Sequence, residues 1–228
     1  GIEIEQNLES REIEKGLHFV LNSLWQGRTQ VIEGPSAIER IGHRIVHGGA
    51  QFEQPIRITS AVKEHIRQLI PLAPLHNPAN LQGIEWMEKF FPSVIQIGVF
   101  DTAFHVTMPE MIKTYPVPWE WREKGIQRYG FHGISHQYCA ERVAKLLNKD
   151  LHLLKIINCH LGNGCSLCAI KEGKSYETTM GLTPLEGLMM GTRCGSIDPG
   201  IVLYLLREHH LSQEEIDHTL NFASGLKG

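Results

Sequence analysis

The chain has 228 residues, 42% of them hydrophobic and 21% charged, with 22 basic against 25 acidic side chains and a net charge of −3. This ordinary globular composition excludes disorder or a fibrous repeat as the dominant state, and the length suffices for one large or two small cores without disulfide or metal staples. The missing basic excess speaks against nucleic-acid binding, and no apolar run nears the roughly 20 residues of a membrane span.

Residues 12–25 carry Ile13, Leu17, Val20, Leu21 and Leu24 at helical spacing, which predicts one buried face. Residues 38–47 read as a strand running into Gly48-Gly49. Residues 60–70 read as a helix stopped by Pro71, followed by a rigid loop, LAPLHNPAN, holding Pro74 and Pro78. A helix over 81–90 closes at Pro92, and the apolar run Val94 to Phe100 reads as a buried strand that delivers Asp101 at its end. Residues 105–130, with Pro109, Pro116 and Pro118, are mostly loop, and the domain boundary falls near there. Ser135 is placed to cap a helix burying Cys139, Val143, Leu146 and Leu147. Strands at about 153–160, 165–171 and 174–180 follow, turned by Gly162-Asn163-Gly164 and Glu172-Gly173. Asp198-Pro199 starts a helix, and Ser212 with Glu215 forms a capping box for a last helix ended by Gly225. Strand–helix alternation, a meander, then helices make a mixed α/β protein.

The start, GIEIEQNLESREIE, is polar and acidic and carries no secretory signal. With five cysteines, an odd number, reduced thiols in a cytoplasm are the expectation. The first residue is Gly1 and the last five are a loop-like SGLKG, which together suggest a piece of a longer protein.

Several segments bear chemistry. In HRIVHGG (43–49) strand alternation puts Arg44 and Val46 on one face, where a guanidinium beside a small apolar surface suits a short carboxylate with an alkyl tail; a plain surface arginine at a strand edge fits the same pattern. Asp101 ends a buried strand, where α/β proteins place ligands, though loop and N-cap carboxylates are common. CHLGNG (159–164) is a glycine turn whose amides could cradle phosphate or serve geometry alone. Gly173-Lys174-Ser175 is not a P-loop, because its first glycine would fall at Cys168. The segment 183–200 holds four glycines around Arg193, an irregular stretch of the kind that makes binding loops, with Arg193 a candidate for a transferring phosphoryl group. Cys165 and Cys168 form a CxxC with Cys159, His160 and Cys194 as companions, but a regular strand would point the pair to opposite faces, which disfavours zinc. His43 and His47 have HxxxH spacing without the metalloprotease glutamate or helix.

Taken together, GHRIVHGG (42–49), LAPLHNPAN (72–80), VFDTAFH (99–105), RYGFHGISH (128–136), CHLGNG (159–164) and TPLEGLMMGTRCGSIDP (183–199) give the sequence a close resemblance to the acetate kinase family. The resemblance implies part of the two-domain α/β fold shared by sugar kinases, heat-shock ATPases and actin. Residues 1–104 would be the later part of the first domain and 105–228 the early part of the second. It implies a cytoplasmic homodimer that transfers phosphoryl from ATP to acetate with Mg²⁺, touching neither nucleic acid nor membrane. By the same resemblance Arg44 matches the substrate-carboxylate arginine and Asp101 an active-site aspartate near the metal. His132 and Arg193 match residues that stabilise the transferring phosphoryl. His160, Leu161, Gly162, Asn163 and Gly164 match the ATP phosphate loop, and Val46, Leu75, Phe131 and Pro184 the pocket for the acetate methyl. Propionate kinases are similar but tend to carry alanine where Val46 stands, and Cys165 departs from a family serine.

The family's opening strand and serine-rich loop, and its closing adenosine-binding region with a metal-associated Glu, have no counterpart in this sequence. The fragment by itself is therefore expected to be inactive, with the Val94–Phe100 strand short of neighbours and prone to association. Propionate kinase, a non-catalytic nucleotide- or partner-binding remnant, and a zinc module are the alternatives.

Overall fold

Two three-stranded sheets organise the protein in a computed structural model that describes residues 13–228. The acidic opening read above as lacking a secretory signal, and the first residue of the predicted 12–25 helix, lie outside the described residues. Helix α1 (Ile13–Ser23) forms as the spacing predicts, but Val20 is 56% exposed and does not belong to a buried face.

In the first sheet β3 (Ile95–Phe100) is central, parallel to β1 (Arg40–Ile45) and antiparallel to the short β2 (Ile56–Arg57). The apolar run expected to lack neighbours is therefore paired on both sides; among the described residues β1 and β2 are the edges. Helices α2 (Ser60–Gln68) and α3 (Asn77–Phe90) pack on this sheet, and Val62, Ile66, Leu81 and Ile84 meet Ile45, Phe52 and Phe100 in one core. Helix α3 begins four residues before the predicted start, because Pro78 sits in its first turn, where its missing N–H costs nothing. The rigid loop ends at His76.

Regular alternation stops at Ile45. Ile45, Val46 and His47 are all buried as the chain leaves the sheet, with Ile45 in the first core and Val46 in a second formed with Phe131, Met180 and Met190. Two asparagines of α3 replace the missing strand partner. Buried Asn77 accepts from the His47 amide at 3.2 Å and donates to the His47 carbonyl at 3.2 Å, while Asn80 accepts from the Val46 amide at 3.1 Å and donates to the Arg44 carbonyl at 3.3 Å. Gly48 follows, where any Cβ would stand 2.8 Å from the Phe100 ring. Asn77→Ala leaves buried backbone groups unpaired and is expected to cost about 2–3 kcal/mol; urea unfolding should show a clear fall in midpoint, larger than for half-buried Asn80→Ala.

Residues 105–130 are mostly loop, interrupted by α4 (Glu110–Lys113) and α5 (Trp119–Glu123). Helix α6 (Gly133–Leu146) starts one residue after His132, which takes a left-handed φ of 62° as N-cap. The Gly133 amide donates to the Asp101 carbonyl at 2.8 Å, and a Cβ there would lie 2.3 Å from that oxygen, so only glycine admits this approach. Ser135 is inside the helix rather than its cap. The docked start turns His136, Ala140 and Ala144 inward, the two alanines letting the helix lie close to the second sheet, instead of the predicted face; Leu146 is 75% and Leu147 55% exposed.

The second sheet is the predicted meander, β4 (Lys155–Leu161), β5 (Cys165–Lys171) and β6 (Lys174–Thr178), in that order. Cys165 packs against the second core and Cys168 is buried in a third with Ala140 and Ile170, so the CxxC thiols belong to different clusters. Asp198 and the Ser212–Glu215 box cap α7 (Pro199–Glu208) and α8 (Gln213–Phe222) as read. Helix α8 stops at Phe222, before Gly225, whose φ of 67° belongs to a following 3₁₀ turn. Among the described residues no helix is long and apolar enough to cross a membrane.

Candidate active site

The ends of β1, β3, β4 and β5, the start of α6 and the glycine-rich segment after β6 converge. Arg44 closes on Asp101 with both Nε (3.2 Å) and Nη2 (2.5 Å), one bond to each carboxylate oxygen. The Asp101 side chain is 2% exposed, that of Arg44 60%. The buried carboxylate is thus held by a fork whose remaining edge, Nη1, stays open.

Arg193 donates Nη1 to the Pro184 carbonyl at 2.6 Å, which aims the guanidinium. Its Nη2 would lie 2.7 Å, and the Nε2 edge of His132 3.4 Å, from a Cβ placed on Gly164. A glycine here lets the guanidinium and the imidazole both come close to the turn, where any side chain would collide with the cation. Burial pulls Arg193 below its ordinary pKa, but guanidinium remains cationic at any physiological pH.

Around His132 the imidazoles cluster. His132 stacks on His160 at 3.9 Å and hydrogen-bonds Ser166 Oγ through Nδ1 at 2.8 Å; His136 reaches the same hydroxyl through Nε2 at 2.8 Å. His160 Nδ1 meets Ser135 Oγ at 2.9 Å. Burial, and secondarily His160, pushes His132 down to about 3; burial, then His105 and His160, does the same to His136. Burial also lowers His47 and His105 to about 4. These rings are neutral in the folded protein at neutral pH, whereas the unfolded chain protonates them below about 6.5. Between pH 6.5 and about 4 the unfolded state therefore binds more protons, and stability falls as pH falls through that window. Urea midpoints should drop markedly from pH 7.5 to pH 5; a flat profile would contradict neutral buried rings.

The 162–164 turn lies beside this cluster. The Gly162 amide is taken by the Gly164 carbonyl, and the Asn163 carbonyl accepts from the Gly191 amide at 3.0 Å; the Asn163 and Gly164 amides have no protein partner among the described residues. A cleft of 630 Å³ opens here, lined by Leu75, His76, Asn163, Pro184 and Arg193 among others. Val46 and Phe131 are not in its lining but together in the second core. Leu161 is 73% exposed.

The segment after β6 is fixed by a polar staple. Arg128 reaches the carbonyls of Thr178, Thr179 and Met180 and pairs with Glu186 at 2.7 Å, and Tyr115 donates to the same carboxylate.

Residues that sequence reasoning left unassigned also stand here. His76, half-buried at the head of α3, is lowered by burial and then by Arg193 and Arg44; LAPLHNPAN held it in plain sight. Ser166, Asn158 and His136 carried no separable signal, being ordinary polar residues on a strand and a helix.

The described residues present no complete magnesium site by themselves. Both oxygens of Asp101 are engaged by Arg44, and no group of three or more His, Cys, Asp or Glu is disposed to hold a metal among the described residues.

The Acetokinase family model matches residues 2–228. An acetate kinase of Protochlamydia amoebophila (strain UWE25) is 60% identical over 97% of this chain and 56% of its own length, and one of Gloeothece citriformis (strain PCC 7424) is 58% identical over 100% and 56%. Among solved structures, a Porphyromonas gingivalis acetate kinase superposes with a TM-score of 0.86 at 44% identity, covering 93% of this chain and 53% of that one. A propionate kinase from Francisella tularensis subsp. tularensis SCHU S4 gives 0.90 at 43%, covering 97% and 56%. The chain spans about half the length of the relatives it matches. With the family model covering nearly every residue and the superposition carrying both sheets, the chain belongs to the acetokinase family.

Proposed function

We propose that the protein to which this chain belongs is an acetate kinase, transferring the γ-phosphoryl of ATP to acetate and releasing acetyl phosphate and ADP, reversibly. The observation that carries the reading is the convergence of Arg193 Nη2 and His132 Nε2 on Gly164 of the 162–164 turn, beside the cleft that Asn163, Pro184 and Arg193 line. Acetate is a weak nucleophile and both reactants are anions, so alignment and charge neutralisation are what a protein must supply. In this reading the open edge of Arg44 anchors the acetate carboxylate. An acetate oxygen attacks the γ-phosphorus as the bond to the ADP oxygen breaks, and ADP departs with the electron pair. Arg193 and His132 donate to the equatorial oxygens, and the free amides of Asn163 and Gly164 receive nucleotide phosphate. Asp101 holds Arg44 in place. Leu75 and Pro184 supply apolar surface for the methyl from the cleft, and Val46 and Phe131, buried in the second core, are the remaining members of that pocket in this reading. His160 backs His132 by stacking, and Leu161 leads into the turn.

The reading also carries a cytoplasmic homodimer and MgATP as the nucleotide. Because the described residues offer no complete magnesium site, no step above runs through the ion. Residues 1–104, which hold the first sheet, are assigned to the first domain and 105–228, which hold the second, to the next.

The Francisella neighbour keeps propionate as the second reading. Val46→Ala should raise kcat/KM for propionate relative to acetate by roughly tenfold or more, since one methylene in an apolar pocket is worth about 1–3 kcal/mol; an unchanged ratio removes Val46 from the pocket. The reading as a whole is tested by trapping acetyl phosphate with hydroxylamine: the complete protein with ATP and acetate should yield acetohydroxamate, and ATP binding without hydroxamate would favour the non-catalytic remnant.

A further inference from the structure

The bonds behind His132 form one directed chain. Asn158 Nδ2 lies 2.7 Å from His136 Nδ1, His136 Nε2 lies 2.8 Å from Ser166 Oγ, and Ser166 Oγ lies 2.8 Å from His132 Nδ1. An amide nitrogen can only donate, so His136 Nδ1 accepts and the neutral ring carries its proton on Nε2. That N–H donates to Ser166. The two rings are the only partners of the Ser166 hydroxyl among the described residues, so its single proton goes to His132 Nδ1, the one acceptor left to it. His132 Nδ1 therefore accepts, and its proton sits on Nε2, on the edge of the ring that approaches Gly164. Ser166 and His136 are fully buried, so water does not compete for these groups.

A second contact sets the backbone. His105 Nε2 lies 2.9 Å from the Phe131 carbonyl, which can only accept. Its Nδ1 is therefore the acceptor for Ser175 Oγ at 2.8 Å. The peptide leading into His132, with its left-handed φ, is held by this bond.

We propose that Asn158, His136 and Ser166 are positioning residues that lock His132 as the Nε2–H tautomer, making it a neutral hydrogen-bond donor to the transferring group and not a base. The role of the donor rests on the acetate kinase reading; the tautomer does not. Reversing the first link tests it. In Asn158→Asp the new carboxylate accepts from His136 Nδ1–H, so His136 Nε2 accepts from Ser166, Ser166 accepts from His132 Nδ1–H, and a lone pair replaces the donor at Nε2. The substitution is isosteric.

The experiment uses the complete protein with ¹⁵N-labelled histidine at pH 8. Long-range ¹H–¹⁵N spectra, with His132→Gln to assign the ring, read the tautomer. The hydroxamate assay reads kcat and KM for acetate and ATP. We expect Nε2–H on His132 in the parent protein and Nδ1–H in Asn158→Asp. With the tautomer change kcat should fall about 10²-fold, the loss typical of one transition-state donor, and both KM values should stay within about twofold. Ser166→Ala, which cuts the chain without adding charge, should give mixed tautomers and a smaller fall in kcat. An Nδ1–H tautomer in the parent protein overturns the proposal even if no variant folds. So does a tautomer in Asn158→Asp that fails to switch, or one that switches with kcat unchanged. A parent protein that shows Nε2–H and makes no hydroxamate upholds the lock and removes the acetate kinase reading.

Discussion

Replacing Arg193 with alanine in the complete protein is expected to lower kcat by roughly 10²–10³-fold while leaving the acetate KM nearly unchanged. The side chain is aimed by protein contacts. Nη1 is tied to the Pro184 carbonyl, and the backbone is clasped by the bond between the Met190 amide and the Arg193 carbonyl at 3.0 Å. Its Nη2 lies against Gly164 of the 162–164 turn rather than on a carboxylate. A preset cation of this kind acts where charge accumulates in the transition state, and the ground-state carboxylate of acetate is gripped elsewhere. A variant that changed only KM would show that Arg193 holds substrate, not the transferring group.

Arg44→Ala should act in the opposite way, raising the acetate KM. Hydrogen bonds to a charged partner are worth about 1.5–3 kcal/mol, or roughly 10–100-fold. The structure adds a second consequence that strand alternation did not suggest: Arg44 is the partner of Asp101, whose carboxylate is buried. Removing one member of a fully buried pair costs on the order of 3 kcal/mol, and less here because Arg44 is itself 60% exposed. The variant should therefore melt lower as well as bind acetate more weakly. Arg44→Ala/Asp101→Asn should recover stability without recovering KM. If the double variant restored both, Arg44 would matter through Asp101 alone.

Element types were largely legible because the signals were local. The 3.6 period, the Asp198 and Ser212 caps and the glycine turns of the meander act within a few residues, and all reappear. What failed depended on distant contacts. The buried face of α6 was misread because Gly133 docks on Asp101 and turns Ala140 and Ala144 inward, while the larger Leu146 stays outside. The α3 start was missed because the proline rule for loops was applied where Pro78 opens a helix. The candidate site was visible as motifs: Arg44, Asp101, His132, the 160–164 turn and Arg193 do meet. Their supports were not visible. Asn77 clasping the end of β1, and Ser166 joining two imidazoles, are ordinary side chains whose meaning appears only when residues 30 or more apart in sequence are brought together.

The most direct test is the hydroxamate assay on the complete protein, with the Arg193→Ala variant beside it. The prediction is ATP-dependent acetohydroxamate from acetate in the parent protein and a drop of at least about 10²-fold in kcat in the variant. A parent protein that consumes no ATP with acetate or propionate, or a variant that turns over acetate at the parent rate, would contradict the assignment of Arg193, beside the 162–164 turn, as a group that faces the transferring phosphoryl.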